Sequence, residues 1–288
     1  MWDFKHISII GLGLIGGSFA LNLKKHGFPG KVTAVDLNPE AIEKGKKLNV
    51  IDDGDISGNI LSEADLIAIA TPVGVYKSVL KTIKEKIDPK KDIIVTDLGS
   101  VKGKLVYMCE KELKDAARFV GGHPIAGTEK SGVENSVEDL FKGAKFILTP
   151  TENTDPEAKE KIKRLWHNLG SMVIEMDPFY HDKIFASVSH LPHVVAYSIV
   201  DAIDTLSKQL NEDLFVFTGG GFRDFTRIAM SDPIMWRDIC MENRENVLEA
   251  IKTFKKSLTR VEKLIEENER ESLKAFFETA RKKRNRIS

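Results

Sequence analysis

The sequence predicts an α/β fold in two parts: a doubly wound, mainly parallel sheet over residues 1–177, followed by an all-α region over residues 178–288. Three observations carry this. Short β-branched runs alternate with amphipathic helical stretches through the first half, the spacing that crossover βαβ units need. A glycine-rich turn separates the first run from the first helical stretch. Beyond Asp177-Pro178 the strand signals almost vanish and long helical patterns take over.

The expected strands cover residues 7–10, 31–35, 66–70, 93–96, 119–121, 146–149 and 172–175. Between them the 3.6-residue apolar period predicts helices over 13–26, 39–48, 75–87, 101–114 and 156–169. In the second part the pattern predicts helices over 193–210, 235–254 and 257–282. With 43 basic and 43 acidic side chains, the net charge of zero removes any global electrostatic case for nucleic acid or a membrane surface. Cys109 and Cys240 match no disulfide framework or metal-ligand spacing, so free thiols and no metal are expected. No stretch approaches the roughly 20 apolar residues of a membrane span, and the cytoplasm is the expected compartment. The basic run Arg281-Lys282-Lys283-Arg284 reads as a solvated helix end whose cations suit the macrodipole.

The first strand runs into Gly11-Leu12-Gly13-Leu14-Ile15-Gly16, a GxGxxG turn in the strand-to-helix setting that a dinucleotide-binding Rossmann unit requires. Gly11 permits the tight turn, Gly13 the approach of a pyrophosphate, and Gly16 close helix–strand packing. The second strand ends at Asp36, about 20 residues further on, where a carboxylate accepts from the adenosine ribose hydroxyls. Leu37 and Asn38 offer no guanidinium for a 2′-phosphate, so NAD is expected rather than NADP.

Ligands of such sheets bind beyond the carboxyl ends of the strands. Three polar strand ends are expected there: Thr71-Pro72-Val73, Asp97-Leu98-Gly99-Ser100, and the loop Gly122-His123-Pro124-Ile125-Ala126-Gly127-Thr128-Glu129. His123, at a strand end and fixed by a following proline, is the functional candidate. His6, His26, His167 and His181 have no such context and are read as structural or solvent-exposed. In the helical part, Ser189-His190-Leu191-Pro192-His193 opens a helix. Gly219-Gly220-Gly221 leads to Arg223 and Arg227, four apart on one helix face. That pair suits an anion site or, equally, a structural network with Asp224 and Asp232. Trp236 reads as core or pocket wall.

These segments, in this order and over nearly the whole chain, resemble the prephenate dehydrogenase family, which includes arogenate and cyclohexadienyl dehydrogenases. Gly122-His123-Pro124-Ile125-Ala126-Gly127 and Gly221-Phe222-Arg223-Asp224-Phe225-Thr226-Arg227 are its most specific stretches. The resemblance implies NAD-dependent oxidative decarboxylation of prephenate to 4-hydroxyphenylpyruvate, in a homodimer built through the helical part. It implies that His123 is the catalytic histidine, that Ser100 bonds near the same hydroxyl, and that Arg227 binds a substrate carboxylate. Ser189, His193 and Glu129 then line the pocket, and Arg223 and Asp224 reach it from a neighbouring subunit. The cofactor contacts implied are Gly11, Gly13, Leu14, Ile15, Gly16, Asp36, Thr71 and Pro72. A fused mutase or regulatory domain is not expected, since the first strand starts at residue 7 and helices run nearly to the end. An arogenate-specific enzyme differs only in the side-chain amino group. A non-catalytic NAD-binding module would not need His123, Ser100 and Arg227 together, and a hydroxyacid dehydrogenase would be expected to use a lysine of the helical part.

Overall fold

The computed structural model describes residues 2–286. Its contacts divide the chain into two compact units, Met1–Arg244 and Glu245–Ser288. In the first unit a six-stranded sheet has the order β3-β2-β1-β4-β5-β6, every neighbour parallel. Its strands are β1 (His6–Ile10), β2 (Lys31–Val35), β3 (Asp53–Asp55), β4 (Leu66–Ile69), β5 (Ile94–Asp97) and β6 (Arg118–Val120). A second, three-stranded sheet pairs β7 (Gly122–Ile125) antiparallel with β8 (Lys145–Leu148), and β8 parallel with β9 (Met172–Glu175).

Helices α1 (Leu14–Lys25), α2 (Pro39–Lys47), α3 (Tyr76–Lys86), α4 (Gly103–Leu113) and α5 (Pro156–Asn168) lie between the strands. After β9 come α6 (Pro178–Phe185), α7 (Leu191–Leu210), α8 (Gly220–Thr226) and α9 (Pro233–Glu242). Then α10 (Arg244–Glu266) and α11 (Arg270–Arg284) follow. Four of these starts share one local device. Asn38, Asp155, Asp177 and Asp232 each accept a backbone N–H two or three residues on, and a proline follows each at the first helical position. The side-chain oxygen satisfies an orphan donor, while proline spends none and arrives with helical φ.

The sheet is buried on both faces. Leu66 and Ala68 of β4 join a core with Phe19, Phe146 and Trp166, whereas Ile67 and Ile69 face a second core with Tyr76, Leu80 and Val106. That two-residue alternation is the pleat itself. In the first core Trp166 stacks on Phe146 at 3.9 Å between ring centroids, which anchors the small sheet to α5.

Several elements depart from expectation. The expected strands do not include β3, and the run expected over 119–121 ends one residue early as β6, with a separate strand, β7, beginning just past Gly121. The stretch expected as the loop after it is therefore β7. It is an edge strand paired only with β8, so Pro124 is accommodated without breaking a ladder on both sides. The helical pattern expected from residue 193 starts earlier: α6 passes through a π-helical turn at Ala186–His190 directly into α7. The expected helices over 235–254 and 257–282 are cut instead between Glu242 and Arg244, and after Glu266. In the second unit Asn268 takes the left-handed conformation at φ 54° between α10 and α11, and the Arg260 guanidinium lies 5.6 Å from the Phe276 ring centroid. Among the described residues no helix is long and apolar enough to cross a membrane.

Candidate active site

Chain order reverses between β2 and β4 on either side of β1, and a crevice opens there beyond the carboxyl ends of the strands. Gly11 holds φ +97°, and a Cβ on it would lie 2.9 Å from the Ala70 carbonyl group. A Cβ on Gly16 would lie 2.0 Å from the Gly11 carbonyl oxygen. Both glycines are therefore required by close approach of backbone. Gly13 differs: it caps α1, and nothing lies within 4 Å of where its Cβ would be. The helix N-terminus is thus open to a ligand, with Leu14 buried and Ile15 half-buried behind it. Asp36 follows β2. Its Oδ2 accepts from the Leu12 N–H at 2.7 Å and its Oδ1 from the Asn38 N–H at 2.8 Å. A cleft of about 230 Å³ lies against Leu12, Gly13, Asp36, Asn38, Lys44 and Glu134. After β4, Thr71 Oγ1 is buried without a hydrogen-bond partner and Pro72 is exposed. An open helix end, a fixed carboxylate and an unsatisfied hydroxyl fit a dinucleotide.

The neighbouring strand ends build a dry polar cluster. Lys102, just before α4, donates its ammonium to Asp97 Oδ2 and to the Gly122 carbonyl, the latter at 2.7 Å. Asp97 also accepts from the Tyr76 hydroxyl at 2.8 Å and from the Gly99 and Gly122 N–H groups at 3.1 Å. These bonds hold the start of β7 against the end of β5, and the next residue is His123. Its Nδ1 is 2.9 Å from His181 Nε2, and its ring meets Phe185 edge-on at 5.1 Å. His181 Nδ1 is 2.9 Å from Asp182 Oδ1, which accepts the Lys102 N–H at 2.7 Å. Asn243 Nδ2 donates to the Asp182 carbonyl at 2.8 Å and lies 3.2 Å from His190 Nδ1.

Burial dominates the titrations. It pushes the His123 imidazole well below its usual value, with His181 and the Lys102 charge adding to the effect. Burial also lowers His181 to about 2 and His190 to about 4, the latter opposed by the Asp182 charge. It raises the Asp182 carboxyl to about 6, opposed by the Lys102 N–H bond. Three imidazoles therefore stay neutral near pH 7.

On the helical side, half-buried His193 bonds through Nδ1 to the Ser189 carbonyl at 2.9 Å and stacks on Trp236 at 3.6 Å. Trp236 is thus core and ring platform at once. Arg227 pairs with Glu129, not with Asp224 or Asp232, and Asp232 is occupied as the α9 cap. Exposed Arg223 and Asp224 line an open groove of about 880 Å³ with Tyr197, Asp201, Asp204 and Arg227. Ser100 is half-buried where β5 leads into α4. Two expectations change. His123 lies inside a strand of its own, β7, rather than at the end of the strand before it, and His181, expected to have no special context, touches it. The chemistry of Asp97, Lys102, Tyr76 and Asp182 was missed, although Asp97 opens a motif already singled out and Lys102 lies two residues beyond its end. A lysine and a tyrosine in such runs look like surface and core until the fold buries them together.

A doubly wound sheet with a glycine turn at its switch point and a neutral buried imidazole at the adjoining strand ends defines a nucleotide-dependent dehydrogenase. Comparison with known proteins narrows this. The family described as "Prephenate dehydrogenase, nucleotide-binding domain" matches residues 19–175, and "Prephenate dehydrogenase, dimerization domain" matches residues 177–279. Prephenate dehydrogenase of Bacillus subtilis is 39% identical over 279 residues, covering 96% of this chain and 74% of that protein. Cyclohexadienyl dehydrogenase of Zymomonas mobilis is 33% identical over 285 residues, covering 99% and 96%. The crystal structure of prephenate dehydrogenase from Aquifex aeolicus in complex with hydroxyphenyl propionate and NAD+ superposes with a TM-score of 0.92 at 45% identity, covering 99% and 98% of the two chains. The chain belongs to the prephenate dehydrogenase family.

The buried imidazoles make stability depend on pH. A histidine whose folded pKa is depressed is neutral in the native state, whereas the unfolded chain takes up its proton below about pH 6.5, so stability is lost as pH falls. His123, His181 and His190 act in this sense. Asp182, raised to about 6, acts oppositely: its contribution grows as pH falls from about 6 toward the ordinary carboxylate range. With two protons net, the loss should approach roughly 2–3 kcal/mol per pH unit between about pH 6 and 5. Thermal melts at pH 7.5 and 5.5 should show a clear drop in Tm at the lower pH. An unchanged or higher Tm would mean that the imidazoles are charged in the folded protein.

Proposed function

We propose that the chain catalyses the NAD-dependent oxidative decarboxylation of prephenate to 4-hydroxyphenylpyruvate and CO2, as a cytoplasmic homodimer. Residues 1–177 bind the cofactor, and residues 178–288 supply substrate contacts and the dimer surface. The observation that carries this reading is His123: a neutral imidazole with Nε2 free of any protein partner among the described residues, fixed where the strand ends meet the Ser189–His193 segment. The NAD complex of the Aquifex aeolicus relative and the two family matches support it. Unpaired Cys109 and Cys240 fit a reducing compartment.

The turn of Gly11, Gly13, Leu14, Ile15 and Gly16 holds the pyrophosphate, Asp36 the adenosine ribose, and Thr71 and Pro72 the middle of the cofactor. Bound NAD supplies the hydride acceptor. His123 Nε2 accepts the proton of the ring hydroxyl as the hydrogen on the same carbon leaves as hydride. The ring-to-carboxylate bond then breaks, its electron pair enters the ring, and the imidazolium returns the proton to the ring oxygen. Charge and atoms balance without a further reagent, and the aromatic ring supplies the driving force. Ser100 bonds near the same hydroxyl. Arg227, beside Glu129, binds a substrate carboxylate with the planar fork that suits one. Ser189 and His193 line the pocket, and Arg223 and Asp224 complete it from the partner protomer. The similarity to a cyclohexadienyl dehydrogenase favours a second reading, in which arogenate is also accepted.

The direct test is NADH formation by the purified chain with prephenate and with arogenate, each with NAD. Prephenate should be turned over with the higher kcat/KM. Turnover of arogenate alone would overturn the assignment, and comparable turnover of both would establish the second reading.

Cofactor choice follows from Asp36. Its carboxylate is held by two backbone N–H groups, so it cannot swing away from a 2′-phosphate. We expect NAD to be preferred over NADP by at least about tenfold in kcat/KM, and Asp36→Ser with Leu37→Arg to erode that preference. Equal efficiency of both cofactors in the wild type would remove Asp36 from this role.

A further inference from the structure

The proposed base has one nitrogen for its substrate and one for the protein, and an imidazole that carries its proton on the wrong side is a donor rather than a base. What sets the side is visible in the chain of contacts behind His123. Asp182 sits at the N-terminus of α4, where its Oδ1 accepts the Lys102 N–H. A Cβ on Gly103 would come 2.5 Å from Asp182 Oδ2, so the glycine leaves room for the carboxylate on the helix end. Backbone N–H groups only donate, and the positive end of the helix favours the anion there. An ionised Asp182 only accepts, so the proton between it and His181 belongs to His181 Nδ1. His181 Nε2 then carries a lone pair and must accept from His123 Nδ1, 2.9 Å away. That places the His123 proton on Nδ1 and leaves Nε2 bare. The charged and titratable groups around this chain are Lys102, Asp97, Asp182 and His190, and Lys102 disfavours a second proton on either imidazole.

We propose that His181 and Asp182 are positioning residues, a two-step relay from the α4 N-terminus that locks His123 in the tautomer able to accept the substrate proton. This rests on His123 being the base. Neither relay residue needs to touch substrate. Both nitrogens of His181 are engaged within the protein and its side chain is fully buried, which is what a residue acting through another requires.

Two substitutions at one position separate this role from packing. His181→Gln can still accept from His123 Nδ1 through its amide oxygen while its amide N–H₂ faces Asp182. His181→Phe cannot accept, yet it keeps an aromatic ring against Phe185, which His181 contacts at 4.4 Å. The relay predicts that His181→Phe loses about 10²–10⁴ in kcat, the range of a misdirected acid–base group, with KM for prephenate and for NAD changed by no more than about threefold. It predicts that His181→Gln recovers at least about tenfold of that loss. A packing role predicts the reverse order, and Phe equal to or better than Gln would overturn the relay. His123→Asn serves as the control. If it is impaired while His181→Phe is not, the base stands and the relay fails; if it turns over normally, the base itself is misassigned. Should either variant not fold, nitrogen-15 NMR of histidine-labelled wild-type enzyme at pH 8 decides the matter. The His123 signals should report a protonated Nδ1 and a bare Nε2, and the opposite tautomer would contradict the proposal.

Discussion

The ammonium of Lys102, enclosed with the Asp97 carboxylate and the Gly122 carbonyl, is the contact on which the site depends. It joins three pieces of chain that local structure alone would not bring together: the end of β5, the start of α4 and the start of β7. Removing one partner of such a buried pair typically costs about 3–5 kcal/mol, because the other is left charged in a dry place. A well-packed apolar substitute for both could be as stable, so stability alone does not account for the pair. What the pair adds is direction. Asp97 also gathers the Tyr76 hydroxyl and the Gly99 and Gly122 N–H groups. With those bonds made, β7 has one place to begin, and His123 follows from it.

The same cluster explains the electrostatics. A fixed cation among buried imidazoles disfavours their protonation, and burial does so more strongly still. The result is a polar site with neutral rings, suited to withdrawing a proton from a neutral hydroxyl near neutral pH. Glycines set the other half of the crevice. Gly11 and Gly16 let backbone meet backbone, while Gly13 leaves the helix end open, so three glycines in six residues have two different physical reasons.

Much of this was legible in the sequence. The parallel strands β1, β2, β4 and β5 have apolar runs and are separated by well-patterned helices, and the glycine turn fixes the cofactor end. What failed to show has identifiable causes. β3 is three residues, Asp-Gly-Asp, and carries no apolar signal at all. β7 contains Gly122 and Pro124, which read as a loop because edge pairing cannot be seen from composition. The break between α9 and α10 falls at Asn243, whose side chain is recruited by the Asp182 carbonyl rather than spent on a local signal. His181 lies 58 residues from His123 and has an ordinary helical setting, so only the fold reveals the contact.

On the proposed function His123 stays a neutral acceptor over the whole working range, because burial, with His181 and the Lys102 cation adding to it, disfavours the charged ring. The measurement that bears on it most directly is the titration of the His123 ring in nitrogen-15 histidine-labelled full-length protein, followed by NMR from pH 8 down to pH 5.5 and assigned with His123→Asn. The ring should remain neutral throughout, with no midpoint in that interval. A midpoint near 6.5, the ordinary value for a solvated imidazole, would contradict the account.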